Sequence, residues 1–191
     1  MVGPQAAKLL QDFLNAQEDQ PTYNPTTPTN SWCPLSSLSF KANFNDAVFN
    51  NAHSAGVGVV ICDVSCEVIA TMSKHIPFPN SVLEVEVMVC RHAVKFAPEV
   101  GIQEAIFEDD SLTVIQALNN GGASEAPYGS LIDDIIFLAS YLSKVEFKHV
   151  KRSCNRVVDA LAKKAKTRDV FQAWIEDLPS DIAPLANFDV H

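Results

Sequence analysis

No run of eighteen or more apolar residues occurs in the chain, so no membrane-spanning helix is expected. The first residues, MVGPQAAKLLQDFLNAQ, lack a basic start followed by an unbroken apolar block, and a secretory signal is not expected either. The chain is read as intracellular, nuclear or cytoplasmic, and not secreted. Paired cysteine motifs are also missing. The five cysteines (Cys33, Cys62, Cys66, Cys90, Cys154) are odd in number, scattered and without Cys-x-x-Cys spacing, which suits buried free thiols better than a zinc site. No internal repeat is present. Positive charge is the scarcer sign: 14 Lys and Arg face 23 Asp and Glu, a net charge of −9 that argues, taken alone, against a nucleic-acid partner.

The distribution of that charge argues otherwise. Between Lys144 and Arg168 stand nine basic residues and two acids, a net +7, so the rest of the chain carries −16. A basic stripe on an acidic body is either a local phosphate footprint or a solvated lysine-rich helix face. The 191 residues, 47% hydrophobic and 19% charged, suffice for one domain with a tail.

Residues 21–37, PTYNPTTPTNSWCPLSS, hold four prolines among Thr, Asn and Ser and read as a linker. A short amphipathic stretch (Leu9, Leu10, Phe13, Leu14) precedes it. The expected division is a tail and linker over 1–37, a domain over 38–168 and a C-terminal tail over 169–191. Within the domain, Ser39–Phe44 alternates as a strand, and Ala55–Cys62 and Glu67–Met72 form a hairpin. Val82–Ala97 has helical spacing, with Val82, Val89, Ala93 and Phe96 on one stripe. Glu104–Phe107 is a brief strand. Ser111–Asn119 and the apolar Leu131–Leu142 are helices, the latter expected to be buried. Val145–Val150 is a strand and Ser153–Lys166 a last helix with Val157, Val158, Leu161, Ala162 and Ala165 inward. The order β-β-β-α-β-α-α-β-α predicts an α/β fold with a five-stranded mixed sheet, three antiparallel strands then two parallel, flanked by helices.

Three carboxylates fall where these elements meet. Glu86 lies between Val82 and Val89 on the apolar stripe, while Glu84, Arg91 and Lys95 are expected on the wet side. A carboxylate on a buried seam needs a cationic partner, a metal or a path to water. Asp110, in FEDDSL, follows a strand and precedes a helix: it caps that helix or faces a ligand at the strand's carboxyl end. Asp159 in the last helix either pairs with Lys163 one turn on or serves a site.

Taken in order, these segments resemble the type 1 ribonuclease H superfamily, and most closely its plant, retroelement-type ribonuclease H-like domains. SFKANFNDAVF resembles the family's first strand, AGVGVVICD its glycine-bearing second strand, and VEVMVCRHAVKFAPEVGI the helix around its Glu. FEDDSLTVIQALN resembles the Glu-x-Asp-Ser strand end, HVKRSCNRVVDALAKKA the last helix, and Trp32-Cys33-Pro34 the short segment before the first strand. The resemblance covers about 135 residues, from about Trp32 to Lys166. It implies cleavage of the RNA strand of RNA–DNA hybrids by two Mg²⁺ ions, replaceable by Mn²⁺, held ~4 Å apart by four carboxylates. Carried over, those positions are Asn45, Glu86, Asp110 and Asp159, with Lys151, Arg152, Asn155 and Lys163 contacting phosphates.

The departure is Asn45, which stands where the family has Asp. Three negative charges replace four, so divalent-ion affinity is expected to fall. Asp46 is expected to point to the opposite face of the strand unless a bulge intervenes. The expected function is therefore a ribonuclease H-type nucleic-acid-binding domain of impaired activity, acting as a monomer on an RNA–DNA hybrid or similar duplex. The alternatives are a catalytically lapsed nucleic-acid-binding module and a protein-interaction module whose acidic body takes a basic partner.

Overall fold

The computed structural model describes residues 40–121, 127–151, 156–167 and 171–186. All belong to one of the chain's two compact units, Pro34–His191. The linker, the amphipathic stretch and Trp32-Cys33-Pro34 lie outside the described residues, as do Cys33, Cys154, Arg152 and Asn155.

Three strands run as an antiparallel meander, β1 (Phe40–Phe49), β2 (Ser54–Cys62) and β3 (Val68–Pro77). Helix α1 (Val82–Glu99) leads to β4 (Glu104–Asp109), which pairs parallel with β1. Helices α2 (Leu112–Asn119) and α3 (Gly129–Ala139) precede β5 (Lys144–His149), parallel to β4. Helix α4 (Arg156–Lys164) follows, then β6 (Gln172–Ile175), antiparallel to β3, and a single turn α5 (Ala183–Ala186). The sheet order is β5-β4-β1-β2-β3-β6. Five strands with the expected directions are present and a sixth adds to them. Gln172–Ile175, read from the sequence as tail, closes the free edge of β3. Four residues are too few for alternation to be legible, and neighbouring backbone rather than pattern recruits them.

The hairpin turn explains itself locally. Asp63 Oδ1 accepts from the amides of Ser65 at 2.8 Å and Glu67 at 2.9 Å, and Cys66 takes the left-handed conformation at φ 64°. Helix α1 starts on a side-chain cap: Ser81 Oγ accepts from the Glu84 amide at 3.2 Å, and Glu84 Oε2 accepts from the Asn80 amide at 2.9 Å. Capping reverses the expected phase of this turn. Glu84, expected in water, is 7% exposed, and Val82, expected in the core, is 52% exposed. Downstream the stripe holds, with Val85, Val89, Ala93 and Phe96 buried.

Helix α3 also departs from expectation. Ile132 and Ile135 are buried, whereas Phe137 and Tyr141 stand exposed in an edge-to-face pair at 5.2 Å. An apolar composition does not force burial on both sides of a helix that packs with one face, here chiefly against α1. Of the cysteines, Cys90 is buried and burial raises its thiol well above the ordinary range, while Cys66 is exposed, contrary to expectation.

Two helices sandwich the central strands. The α1 side holds Phe44, Val57, Val59, Met72 and Phe107. The other side is covered by α4, whose Val157, Val158 and Leu161 pack with Val60. Covered on both faces, β2 is buried along all but its last residue. Helix α4 lies almost in contact with the β2 backbone. A Cβ on Gly56 would stand 1.9 Å from the Ala162 carbonyl oxygen, and one on Gly58 2.1 Å from that of Val158. Strand β3 completes the seat: Ser73 Oγ donates to the Leu161 carbonyl at 2.8 Å, and His75 Nδ1 lies 3.2 Å from that of Ala165.

Gly56→Ala must push α4 outward by more than a side-chain adjustment can absorb. It is expected to destabilise the domain by about 1–3 kcal/mol, read as a lower urea midpoint at unchanged m. An unchanged midpoint would show that the helix does not rest on β2.

Candidate nucleic-acid interface and acidic corner

The carboxyl ends of β1, β4 and β5 meet at one end of the sheet, and their residues alternate between its two faces. Asn45 pairs with Gly58, and the Gly58 position abuts α4, so Asn45 lies on the α4 side. Asn45 is 7% exposed, and its Oδ1 accepts from the Asp46 amide at 2.9 Å. The β1–β2 register runs from Lys41 to Phe49 without a shift, so there is no bulge at Asn45. Asp46, opposite Val57, therefore falls on the α1 side, the face that Val57 buries.

On the α4 side the Lys-x-Asn segment has a structural task. Asn43 Nδ2 donates to Glu108 Oε2 at 3.1 Å, and Lys41 Nζ lies 3.8 Å from Glu108 Oε1. This ties the first-strand motif to the Glu-x-Asp-Ser motif through the register pair Asn43–Glu108. Nothing in the residue pattern singles out Glu108, and only strand pairing reveals its role.

Glu86, on α1, is half-buried, and Ser111 Oγ donates to its Oε2 at 2.6 Å. The residue after Asp110 thus fixes Glu86 at the β4 end. Asp110 is half-buried, and His149 Nε2 lies 3.2 Å from its carbonyl oxygen. The Val150 amide donates to the Asp109 carbonyl at 2.9 Å, holding β5 to the same corner. His149 was not among the candidate site residues, although its place at the end of β5 was a usable signal.

Asp159 behaves otherwise. It belongs to the helix on Asn45's side, and Lys163 Nζ reaches its Oδ2 at 2.6 Å, the (i, i+4) pair open in the sequence. Similar pairs partly neutralise the basic segment: Glu146 takes Lys148 at 3.0 Å and Lys144 at 3.7 Å, and Asp181 takes Lys164 at 2.8 Å. Lys151 is exposed.

The structure therefore joins Glu86 to the Asp110–Ser111 turn and sets Asn45 and Asp159 on the α4 side. Among the described residues, no three His, Cys, Asp or Glu side chains are grouped to hold a metal ion. The amide at Asn45, its oxygen already accepting from a backbone N–H, fits a Mg²⁺ pair less well than a carboxylate would.

One acid at this corner is perturbed. Asp109 is 4% exposed, and burial pushes its carboxyl up to about 7, opposed by the bond from the Asp110 amide and reinforced by the charges of Asp110, Glu86 and Asp46. Asp46 is thus felt on the Glu86 side of the sheet. The folded state holds this proton more tightly than the unfolded chain. Stability should accordingly fall as pH rises from about 4 to about 7 and level off above. Asp109→Asn, which keeps an oxygen for the Asp110 amide, is expected to gain about 1–3 kcal/mol at pH 8 and little at pH 4 in paired denaturation curves. An equal gain at both values would place the cause elsewhere.

Comparison with solved structures supplies the fold's relatives. A ribonuclease H1 from Halobacterium salinarum superposes with a TM-score of 0.62 at 22% identity, covering 68% of this chain and 98% of its own. The N-terminal ribonuclease H domain of a Mycobacterium tuberculosis protein gives 0.60 at 22%, over 69% and 95%. LC11 ribonuclease H1, solved with an RNA/DNA hybrid, gives 0.59 at 18%, over 66% and 95%. No curated protein sequence matches the chain. The profile of the reverse transcriptase-like family matches residues 43–165, from the Asn43 that binds Glu108 to the last turn seated on β2. This chain has a ribonuclease H-like fold and belongs to the reverse transcriptase-like family.

Proposed function

We propose that this domain binds RNA–DNA hybrid or a similar duplex through its basic β5–α4 segment and has lost hydrolytic turnover. The observation that carries the second half is Asn45, an amide on β1 at the site end, its oxygen already accepting from the next backbone amide. Family membership and the hybrid bound by LC11 ribonuclease H1 support the first half. In this reading Lys151, Arg152, Asn155 and Lys163 contact backbone phosphates, which position the duplex without reading its sequence. Shape and 2′-hydroxyls distinguish the hybrid. Lys163 must leave Asp159 to do so, at small cost because an exposed pair contributes only about 0–1 kcal/mol. Glu86, Asp110 and Asp159 are the carboxylates left from the ancestral Mg²⁺ or Mn²⁺ chemistry. The domain acts as an intracellular monomer, and its acidic remainder leaves room for a basic protein partner.

A competent hydrolase is the second reading. It is favoured by Asp46, whose charge reaches Asp109 together with that of Glu86 and keeps a fourth carboxylate near this corner.

Hybrid binding and cleavage in Mg²⁺ and then Mn²⁺ separate the two, comparing the native chain with Asn45→Asp and Asp46→Asn. Native binding should weaken with salt at a slope of about −2 to −3 in log K against log[salt], for two or three released counterions. Cleavage should appear only in Asn45→Asp. Cleavage by the native chain that Asp46→Asn abolishes would establish the second reading, and absence of binding at low salt would sink both. Without metal, Asn45→Asp should also melt lower than the native chain, because it buries a charge among like charges.

A further inference from the structure

We propose that the pocket between α1 and β3 binds a nucleotide unit, with its phosphate on Lys74 and Lys95 and its base against Phe171. The pocket, of about 200 Å³, is lined by Met72 and Lys74 of β3, by His92, Lys95, Phe96 and Glu99 of α1, and by Phe171 just before β6. That volume holds a phosphate and sugar with the base lying at the mouth, where Phe171 is 49% exposed.

Charge selects the phosphate. Lys74 opposes Val57 in the sheet, so its side chain is on the α1 side, partly covered, and no ion pair engages it among the described residues. Lys95 meets Glu99 at 3.9 Å, both about half exposed, a contact weak enough to yield to an anion. Arg91, one residue from His92, is held by Asp134 and adds field without occupying the pocket. Burial, Lys95 and Arg91 all depress the Lys74 ammonium, against Glu99, so two cations share a site with too little negative charge. An entering phosphate supplies it. His92 stays neutral, lowered to about 4 mainly by burial, and offers a ring nitrogen without adding repulsion. The aromatic ring selects the base: stacking on an exposed phenyl contributes about 1–3 kcal/mol and tolerates any base.

The pocket is separate from the acidic corner. Lys95 lies nine residues along α1 from Glu86, about 14 Å of helix. The inference therefore does not rest on duplex binding by the β5–α4 segment, and the two fail independently.

The test is titration of the full chain with adenosine 5′-monophosphate, inorganic phosphate and adenosine, read by the side-chain NMR signals of Lys74 and His92. The monophosphate should move both signals and bind at least tenfold more tightly than phosphate or adenosine. Lys74→Met should weaken it tenfold or more, Phe171→Ala several-fold, and neither should change hybrid affinity. Lys95→Gln, on the exposed helix surface, gives the same reading should Lys74→Met disturb folding by circular dichroism. Equal affinity for phosphate and the monophosphate, unmoved Lys74 and His92 signals, or full binding by both lysine variants would overturn the proposal.

Discussion

The contact on which the rest of this domain depends is the seating of α4 on two glycines of β2. A helix normally stands off a sheet by the length of its side chains. Here the Val158 and Ala162 carbonyls come so near Gly58 and Gly56 that even a methyl group has no room. The polar cost of that approach is met from β3, where Ser73 donates to a helix carbonyl and His75 stands beside another. Asn45 lies directly across the ladder from Gly58, so it is buried on the same side that admits the helix. The basic last turn, the Asp159–Lys163 pair and the family-matched segment all take their positions from this seat.

The second organising constraint is the parallel pairing of β1, β4 and β5. It brings three strand ends to one corner, where carboxylates would repel unless something divided or neutralised them. Strand alternation divides them: Asn45 and Glu108 on the α4 side, Asp46 and Asp109 on the α1 side. Lys41 and Asn43 hold Glu108, and Ser111 holds Glu86. Asp109 is left in a dry place with acids around it and keeps its proton towards neutrality. A second strand-one carboxylate at Asn45 would add charge to an already loaded corner, and an amide there relieves it.

Much of the architecture was legible because its periods were long. A nine-residue strand and an eighteen-residue helix give pattern enough to place β2 and α1, and the last helix showed its five inward residues without ambiguity. Strand β1 was legible only to Phe44 and runs on to Phe49 because β2 pairs with it from Lys41 to Phe49. What escaped was set by neighbours rather than by pattern. Strand β6 has four residues and exists because β3 has a free edge. Glu84 went inward because a cap competes with amphipathic phase in a first turn, and Phe137 and Tyr141 remained outside because α3 has only one covered face. At the site, the Asn45 substitution and the alternation of Asp46 follow from sequence and strand geometry. The tasks of Glu108, Ser111 and His149 do not, because each depends on a partner sixty-five, twenty-five or thirty-nine residues away.

Net charge alone misjudges such a molecule. A chain at −9 has basic residues enough for a polyanion only if they are local, and pairing decides whether they are free to act. Most of the pairs in the β5–α4 segment are exposed, so their partners restrain these lysines by little more than thermal energy. A polyanion replaces each such partner with a phosphate and releases condensed counterions as well, a gain that a lone carboxylate cannot match. Buried acids behave in the opposite way. Asp109 has no mobile competitor and its protonation is fixed by its surroundings. The acids and the basic stripe therefore do not simply cancel: Asp109 is held in the interior, and the lysines of the stripe keep only exposed, easily exchanged partners.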